Sequence, residues 1–190
     1  MAQTTDLLSR SETVLLVVDV QERINAVMAD QGHLPRIAVL VEACALLGVP
    51  VLATEQYPKG LGPTVAELGR LLSAPPLVKD TFSCAREPAV LAALKATGRR
   101  QALVTGIEAH VCVLQTALDL AAAGFQVHVP HDAVSSRRPA DKQWALDRMA
   151  CAGVTITSTE SALFELLERC GSDEFKLVAA LVRRLPVAEP

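Results

Sequence analysis

The chain has 190 residues, a length that suits one ordinary domain and is too short for two large ones. Apolar residues make up 51% of it and aromatic residues only 3%, so we expect a core of Ala, Val and Leu. The formal net charge of -3 gives no basic surface for phosphate neutralisation, which argues against nucleic acid as a partner. We therefore expect a single domain, residues 1–190, that acts on a small molecule.

Six short apolar stretches alternate with longer helical patterns along the chain. Nearly continuous hydrophobicity is typical of strands that are covered on both faces of a parallel sheet. The predicted strands are residues 14–18, 49–53, 77–78, 102–105, 125–129 and 154–157, and the predicted helices are residues 34–47, 88–97, 111–123, 139–152, 161–169 and 174–185. This alternation predicts a three-layer, doubly wound α/β fold. Its six-stranded parallel sheet would have the order 3-2-1-4-5-6, with helices on both faces.

The cellular location is predicted from hydropathy and from the cysteines. No apolar run reaches the ~18 to 20 residues that span a bilayer, and residues 1–13 lack the pattern of a signal peptide. The five cysteines are odd in number and contain no CxxC pair, so neither a disulfide framework nor a zinc site is indicated. We expect a cytoplasmic protein that makes no membrane contact.

Two irregular segments follow predicted strands, at residues 54–63 and 80–87. Such loops, beyond the carboxyl ends of strands, are where α/β enzymes place their active sites. We assign the walls of a substrate pocket to Glu55, Gln56, Tyr57 and Phe82. Glu55 or Tyr57 can instead serve as subunit contacts.

Asp19 and Lys79 each end a predicted strand, the first and the third. A buried charge needs a partner, and an ammonium at this edge can stabilise the ionised Asp19 and lower the pKa of a neighbouring thiol. The alternative for Asp19 is a capping role at a helix that begins near Glu22. The alternative for Lys79 is a solvated surface group.

Cys112 lies at the turn from the fourth strand into an amphipathic helix. Unpaired amides at a helix N-terminus favour a thiolate and can donate hydrogen bonds to an oxyanion formed beside it. Cys84, in the loop after Lys79, is a second candidate nucleophile. The other three cysteines, in or next to predicted helices, are interpreted as buried structural thiols: Cys44, Cys151 and Cys170.

The ends of strands one, three and four meet near the topological switch point of a doubly wound sheet. Asp19, Lys79 and Cys112 would then supply a general base, an electrostatic stabiliser and a nucleophile, the three roles that acyl transfer needs. His110 and His131 are alternative bases.

Four segments together resemble the isochorismatase-like cysteine hydrolases over residues 13–167, and most closely the isochorismatase domain-containing branch. They are VVDVQ at 17–21, VKDTFS at 78–83, GIEAHVCV at 106–113 and FQVHVPHDAVSSR at 125–137. The resemblance implies a catalytic triad of Asp19, Lys79 and Cys112. It further implies an oxyanion hole from the backbone amides of Glu108 and Cys112, and a cis peptide bond between Ile107 and Glu108.

The sequence departs from the family pattern in two places. Ala109 stands where many relatives have Thr, and the Asp-x-His-x-x-His pattern of metal-binding nicotinamidases is absent. We therefore expect no metal and no other cofactor. Isochorismatases proper, which cleave a vinyl ether, characteristically lack the cysteine, so Cys112 argues against that reaction.

The function predicted from these residues is cysteine-dependent hydrolysis of a small amide-like substrate at a C–N bond, through a thioester. The alternative is a binding or interaction protein that keeps the hydrolase fold with weak turnover or none, in keeping with Ala109. Relatives usually form homo-oligomers, so the resemblance also implies a homo-oligomer.

Overall fold

A parallel sheet of seven strands forms the centre of the computed structural model, which describes residues 7–185. The strands are β1 (Thr13–Val18), β2 (Val51–Gln56), β3 (Leu77–Lys79), β4 (Gln101–Ile107), β5 (Gln126–Pro130), β6 (Val134–Ser135) and β7 (Thr155–Thr157). Their order is β3-β2-β1-β4-β5-β7, and β6 pairs with the end of β4. The predicted doubly wound α/β fold is confirmed. The sixth predicted strand is β7, and the two-residue β6 was too short to give a periodic signal.

Helices cover both faces of this sheet. They are α1 (Glu22–Asn25), α2 (His33–Leu47), α3 (Pro58–Leu61), α4 (Ala66–Gly69), α5 (Pro88–Ala96), α6 (Leu114–Ala122), α7 (Pro139–Cys151), α8 (Thr159–Leu167) and α9 (Asp173–Val182). One apolar cluster joins the sheet to α2, α8 and α9, and a second joins it to α5, α6 and α7. Strand β1 contributes Leu15 and Val17 to the first cluster and Leu16 and Val18 to the second. Burial on both faces explains its uninterrupted hydrophobicity.

The segment predicted as an irregular loop after strand two is partly regular. Strand β2 begins later than predicted, after Pro50, and continues to Gln56 because Glu55 and Gln56 pair with β3. A single helical turn, α3, follows with Pro58 at its start. Proline fits the first turn of a helix because it has no N–H to leave unpaired. In the second loop, residues Cys84–Arg86 form a 3₁₀ turn.

No helix within residues 7–185 has the length and apolar character needed to span a membrane.

Gly106 lies where the backbones of strands β1 and β4 come very close together. It has a φ of 114°, and a Cβ built on it would lie 2.1 Å from the carbonyl oxygen of Val18 on β1. The obstacle is backbone, which cannot move aside as a flexible side chain can. A glycine is therefore required just before the turn that carries Cys112.

Gly106→Ala is expected to destabilise the fold by more than about 3 kcal/mol, because it adds a backbone clash to an unfavourable φ. Gly48→Ala is the matched control: Gly48 has a φ of 69° but nothing within 4 Å of the added methyl group. It should cost only about 1 kcal/mol. Urea unfolding followed by circular dichroism measures both, and equal losses would contradict the close-approach argument.

Candidate active site

An ion pair between Asp19 and Lys79 lies at the carboxyl edge of the sheet, where β1 and β3 end. The Nζ of Lys79 is 2.7 Å from Oδ2 of Asp19, and the two side chains are 0% and 3% exposed. Burial, the largest single effect, lowers the pKa of Lys79, but the charge of Asp19, together with smaller effects of Cys112 and Cys84, outweighs it, so the pKa is raised above its ordinary value. Lys79 is therefore a cation held in place, not a proton acceptor at neutral pH.

Three oxygen atoms besides Asp19 accept from the ammonium of Lys79. They are Oε1 of Gln56 at 2.6 Å and the carbonyl oxygens of Thr81 and Phe82, each at 3.1 Å. The parallel register that pairs Gln56 with Lys79 brings the amide to the ammonium. An ammonium has only three N–H groups, so these acceptors saturate it.

The backbone at Asp19 adopts a left-handed conformation, with a φ of 53°. Such a conformation is uncommon outside glycine, and residues held in it often belong to functional sites. Thr54, at 1% exposure, donates from its hydroxyl to Oδ1 of Asp19 at 2.7 Å. The helix-cap alternative is not supported, because α1 begins after Gln21 and no side chain caps it.

Cys112 sits in a π-helical turn, Ala109–Val113, that leads directly into α6. The peptide bond between Ile107 and Glu108, immediately before this turn, is cis. Cys112 is 7% exposed, and it lies close enough to Asp19 and Lys79 that the charges of both act on the pKa of its thiol. The three residues expected to form the site thus lie together.

A cavity of about 170 Å³ opens onto the thiol. Its lining residues are Asp19, Ile24, Gln56, Leu61, Phe82, Ile107, Glu108, Val111 and Cys112. Two of the four predicted wall residues, Gln56 and Phe82, are among them. The other two face elsewhere: Glu55 accepts from the N–H and hydroxyl of Thr64, and Tyr57 lies with its ring against Gly60.

The pKa of the Cys112 thiol is raised well above its ordinary value, first by burial and second by the charge of Asp19. Lys79 acts in the opposite direction, but more weakly than Asp19. Lys79 therefore lowers the pKa of this thiol as expected, but burial and Asp19 raise it by more. At neutral pH the free site holds a thiol beside a carboxylate, and not a preformed thiolate.

Glu108 is the second acidic residue that lines this cavity. Its Oε1 accepts from the backbone N–H of Arg137 at 3.1 Å and from Nε of Arg137 at 3.0 Å. The side chain of Glu108 is 8% exposed and that of Arg137 is 56% exposed. The guanidinium therefore holds the carboxylate from the solvent side.

The alternative catalytic residues lie apart from this cavity. His110 and His131 line two other cavities, and Nδ1 of His110 is 3.0 Å from the hydroxyl of Ser136. Cys84 is buried outside the cavity lining with its sulfur 3.7 Å from the Thr54 hydroxyl, and burial raises its pKa to about 11.

The remaining cysteines differ from one another. Cys44 is buried in α2, where burial raises its pKa to about 12. Cys151 and Cys170 are exposed, so their interpretation as buried thiols is corrected. Both lie at or beyond the end of a helix, where the apolar face has already ended.

Sequence reasoning missed part of the cavity and of its support. Ile24, Leu61 and Val111 belong to the wall, and Thr54 orients Asp19. A polar residue following a buried strand was the available signal for Thr54. Isolated apolar residues on short turns carry no such signal. Within residues 7–185, no three His, Cys, Asp or Glu side chains are grouped so that they could hold a metal ion.

The sequence matches the family model described as the isochorismatase domain over residues 13–161. The chain belongs to the isochorismatase family. It is 38% identical over 172 residues to isochorismatase domain-containing protein 1 of Salmo salar, covering 90% of this chain and 61% of that relative. The chain thus spans less than two thirds of that protein's length.

Two solved structures share the whole fold with this family member. One is described as the MAR1 ribonuclease of Caenorhabditis elegans, with a TM-score of 0.89, 35% identity and coverage of 95% of each chain. The other is the YcaC gene product of Escherichia coli, described as an octameric hydrolase of unknown specificity. Its TM-score is 0.90 at 25% identity, covering 97% of this chain and 93% of that one.

Asp19→Asn is expected to lower the pKa of Cys112, because it removes a negative charge that raises it while Lys79 stays nearby. The thiol should therefore be alkylated at lower pH than in the wild type. Iodoacetamide labelling across a pH series, resolved by peptide mass spectrometry, measures this, with the exposed Cys151 and Cys170 as internal references. An unchanged or raised midpoint for Cys112 would contradict the electrostatic account.

Proposed function

We propose that the protein hydrolyses the C–N bond of a small amide-like substrate through a thioester on Cys112. The observation that supports this best is that Cys112 and the carboxylate of a buried ion pair line the same cavity. A nucleophile, a proton acceptor and a fixed cation are the groups that acyl transfer requires.

In the first half of the reaction, Asp19 takes the thiol proton as sulfur attacks the carbonyl carbon. The raised pKa of Cys112 makes this transfer part of the attack, since little thiolate exists beforehand. Backbone amides of Glu108 and Cys112, at the start of the helical segment, would stabilise the oxyanion. When the C–N bond breaks, the amine leaves with the proton that Asp19 held.

In the second half, water attacks the thioester while Asp19 accepts a proton from it. The C–S bond breaks, the thiol of Cys112 is restored and the carboxylic acid departs. Lys79 keeps the negative charge of Asp19 in place in both halves, and its saturated ammonium takes no proton. Thr54 donates a hydrogen bond to the carboxylate of Asp19, and Gln56 accepts one from the ammonium of Lys79, so both charged groups are held in place.

The small cavity and the net charge of -3 do not favour a polynucleotide substrate, although one structural relative is described as a ribonuclease. A substrate screen distinguishes the hydrolase from the alternative, a binding protein without turnover. We also place the protein in the cytoplasm, because five free cysteines suit a reducing compartment.

A panel of small amides, ureides and esters should contain at least one substrate that the wild type hydrolyses. Cys112→Ala should lose at least about 1,000-fold in turnover of that substrate, since the nucleophile is gone. Cys84→Ala is the matched control and should keep its turnover, because that thiol lies outside the cavity. Hydrolysis that survives in Cys112→Ala would refute the mechanism, and no hydrolysis across the panel would favour the binding protein.

We propose, finally, that the protein forms a homo-oligomer. Three apolar side chains are each more than half exposed: Val78 on edge strand β3, Phe82 in the cavity lining and Tyr57 directly before α3. The Escherichia coli relative is described as octameric. Light scattering on a sizing column should give a multiple of 20.2 kDa, and a monomer at micromolar concentration would contradict the proposal.

A further inference from the structure

Two acidic residues and no basic one line the Cys112 cavity. They are Asp19 and Glu108, and no Lys, Arg or His is among the lining residues described. A site for an anionic substrate normally offers an Arg or Lys that pairs with the anion. The lining of this cavity lacks the basic side chain that such a site would offer.

The nearest cation cannot bind a substrate anion. The ammonium of Lys79 is fully buried, and Asp19 and the oxygens of Gln56, Thr81 and Phe82 occupy its three N–H groups. Binding an anion there would require at least one of these contacts to break and would place the anion beside Asp19.

The next cation faces away from the thiol. Arg137 bonds to Glu108 from outside, and its guanidinium lines a separate cavity together with His110, Arg138 and Asp141. Glu108 lines the Cys112 cavity and Arg137 does not, so the guanidinium makes no contact with a group bound beside the thiol.

The rest of the wall is apolar and the space is small. Ile24, Leu61, Phe82, Ile107 and Val111 line the cavity, and its volume is about 170 Å³. An anion placed there would lose its hydration without gaining a counter-charge, which is costly. A short aliphatic group would gain from burial.

We infer that the Cys112 cavity selects short, uncharged carboxamides with an apolar tail and rejects carboxylates and phosphates, with Glu108 as the residue that sets this specificity. Hydrolysis of the selected amides rests on the proposed function. Rejection of anions is a property of the cavity, so it can be measured without turnover.

The first test compares iodoacetamide with iodoacetate, two thiol reagents of similar size that differ in charge. Peptide mass spectrometry gives the neutral-to-anionic rate ratio at Cys112 and, in the same sample, at the exposed Cys151 and Cys170. The ratio at Cys112 should exceed that at the reference cysteines by at least about tenfold, because like charges in a desolvated site repel strongly. Equal ratios would overturn the inference.

Two variants then test whether the carboxylate of Glu108 causes the high neutral-to-anionic ratio at Cys112. Glu108→Gln should lower the ratio at Cys112, whereas Glu160→Gln, which removes an exposed charge from the first turn of α8, should leave it unchanged. A ratio that stays high in a folded Glu108→Gln protein would remove Glu108 from the role. If that variant does not fold, the wild-type ratio and the substrate series still decide on anion rejection.

The substrate series uses isovaleramide, malonamide and malonamate, which have the same number of non-hydrogen atoms. The value of kcat/KM should fall in that order, with malonamate at least about 100-fold below isovaleramide. Malonamate hydrolysed as well as isovaleramide would overturn the inference. If none of the three is hydrolysed while the alkylation ratio is high, the hydrolase proposal fails for these amides and the charge selection stands.

Discussion

Two opposite charges, those of Asp19 and Lys79, are buried together at the carboxyl edge of the sheet, and the site is arranged around them. Burying an ion costs several kcal/mol, which only close pairing and further hydrogen bonds offset. The strand order supplies these contacts, because β3, β2 and β1 are neighbours. Strand β2, in the middle, contributes Thr54 to the carboxylate and Gln56 to the ammonium. The sheet topology thus supplies the contacts that offset the cost of burying the two ions.

The ion pair also determines the state of the nucleophile. Burial and the carboxylate together keep Cys112 protonated, so reactivity depends on proton transfer to Asp19 at the moment of attack. Such a thiol is protected from indiscriminate alkylation and oxidation, since the thiolate is the reactive form. We infer that the wall, which is mainly apolar and has no basic residue among those described, adds a second filter that acts on the charge of the incoming molecule.

Much of this arrangement could be predicted from the sequence, because buried parallel strands leave a clear hydrophobic signal and polar residues at their ends are few. The strand order and the positions of Asp19, Lys79 and Cys112 at strand ends or the following turn were predictable in this way. Strand β6 and the helical turn α3 were not, since neither is long enough to show a period. Glu55 and Tyr57 were misplaced because adjacent strand residues face opposite sides and the continuation of β2 to Gln56 was not recognised.

The central claim is that one thioester on Cys112 lies on the path from substrate to product. An amide and an ester that share the same acyl group would then form the same intermediate, which water and added hydroxylamine partition between acid and hydroxamate. The account predicts an identical hydroxamate-to-acid ratio from both substrates, and loss of both products in Cys112→Ala. Different ratios from the two substrates, or hydroxamate formed without Cys112, would contradict it.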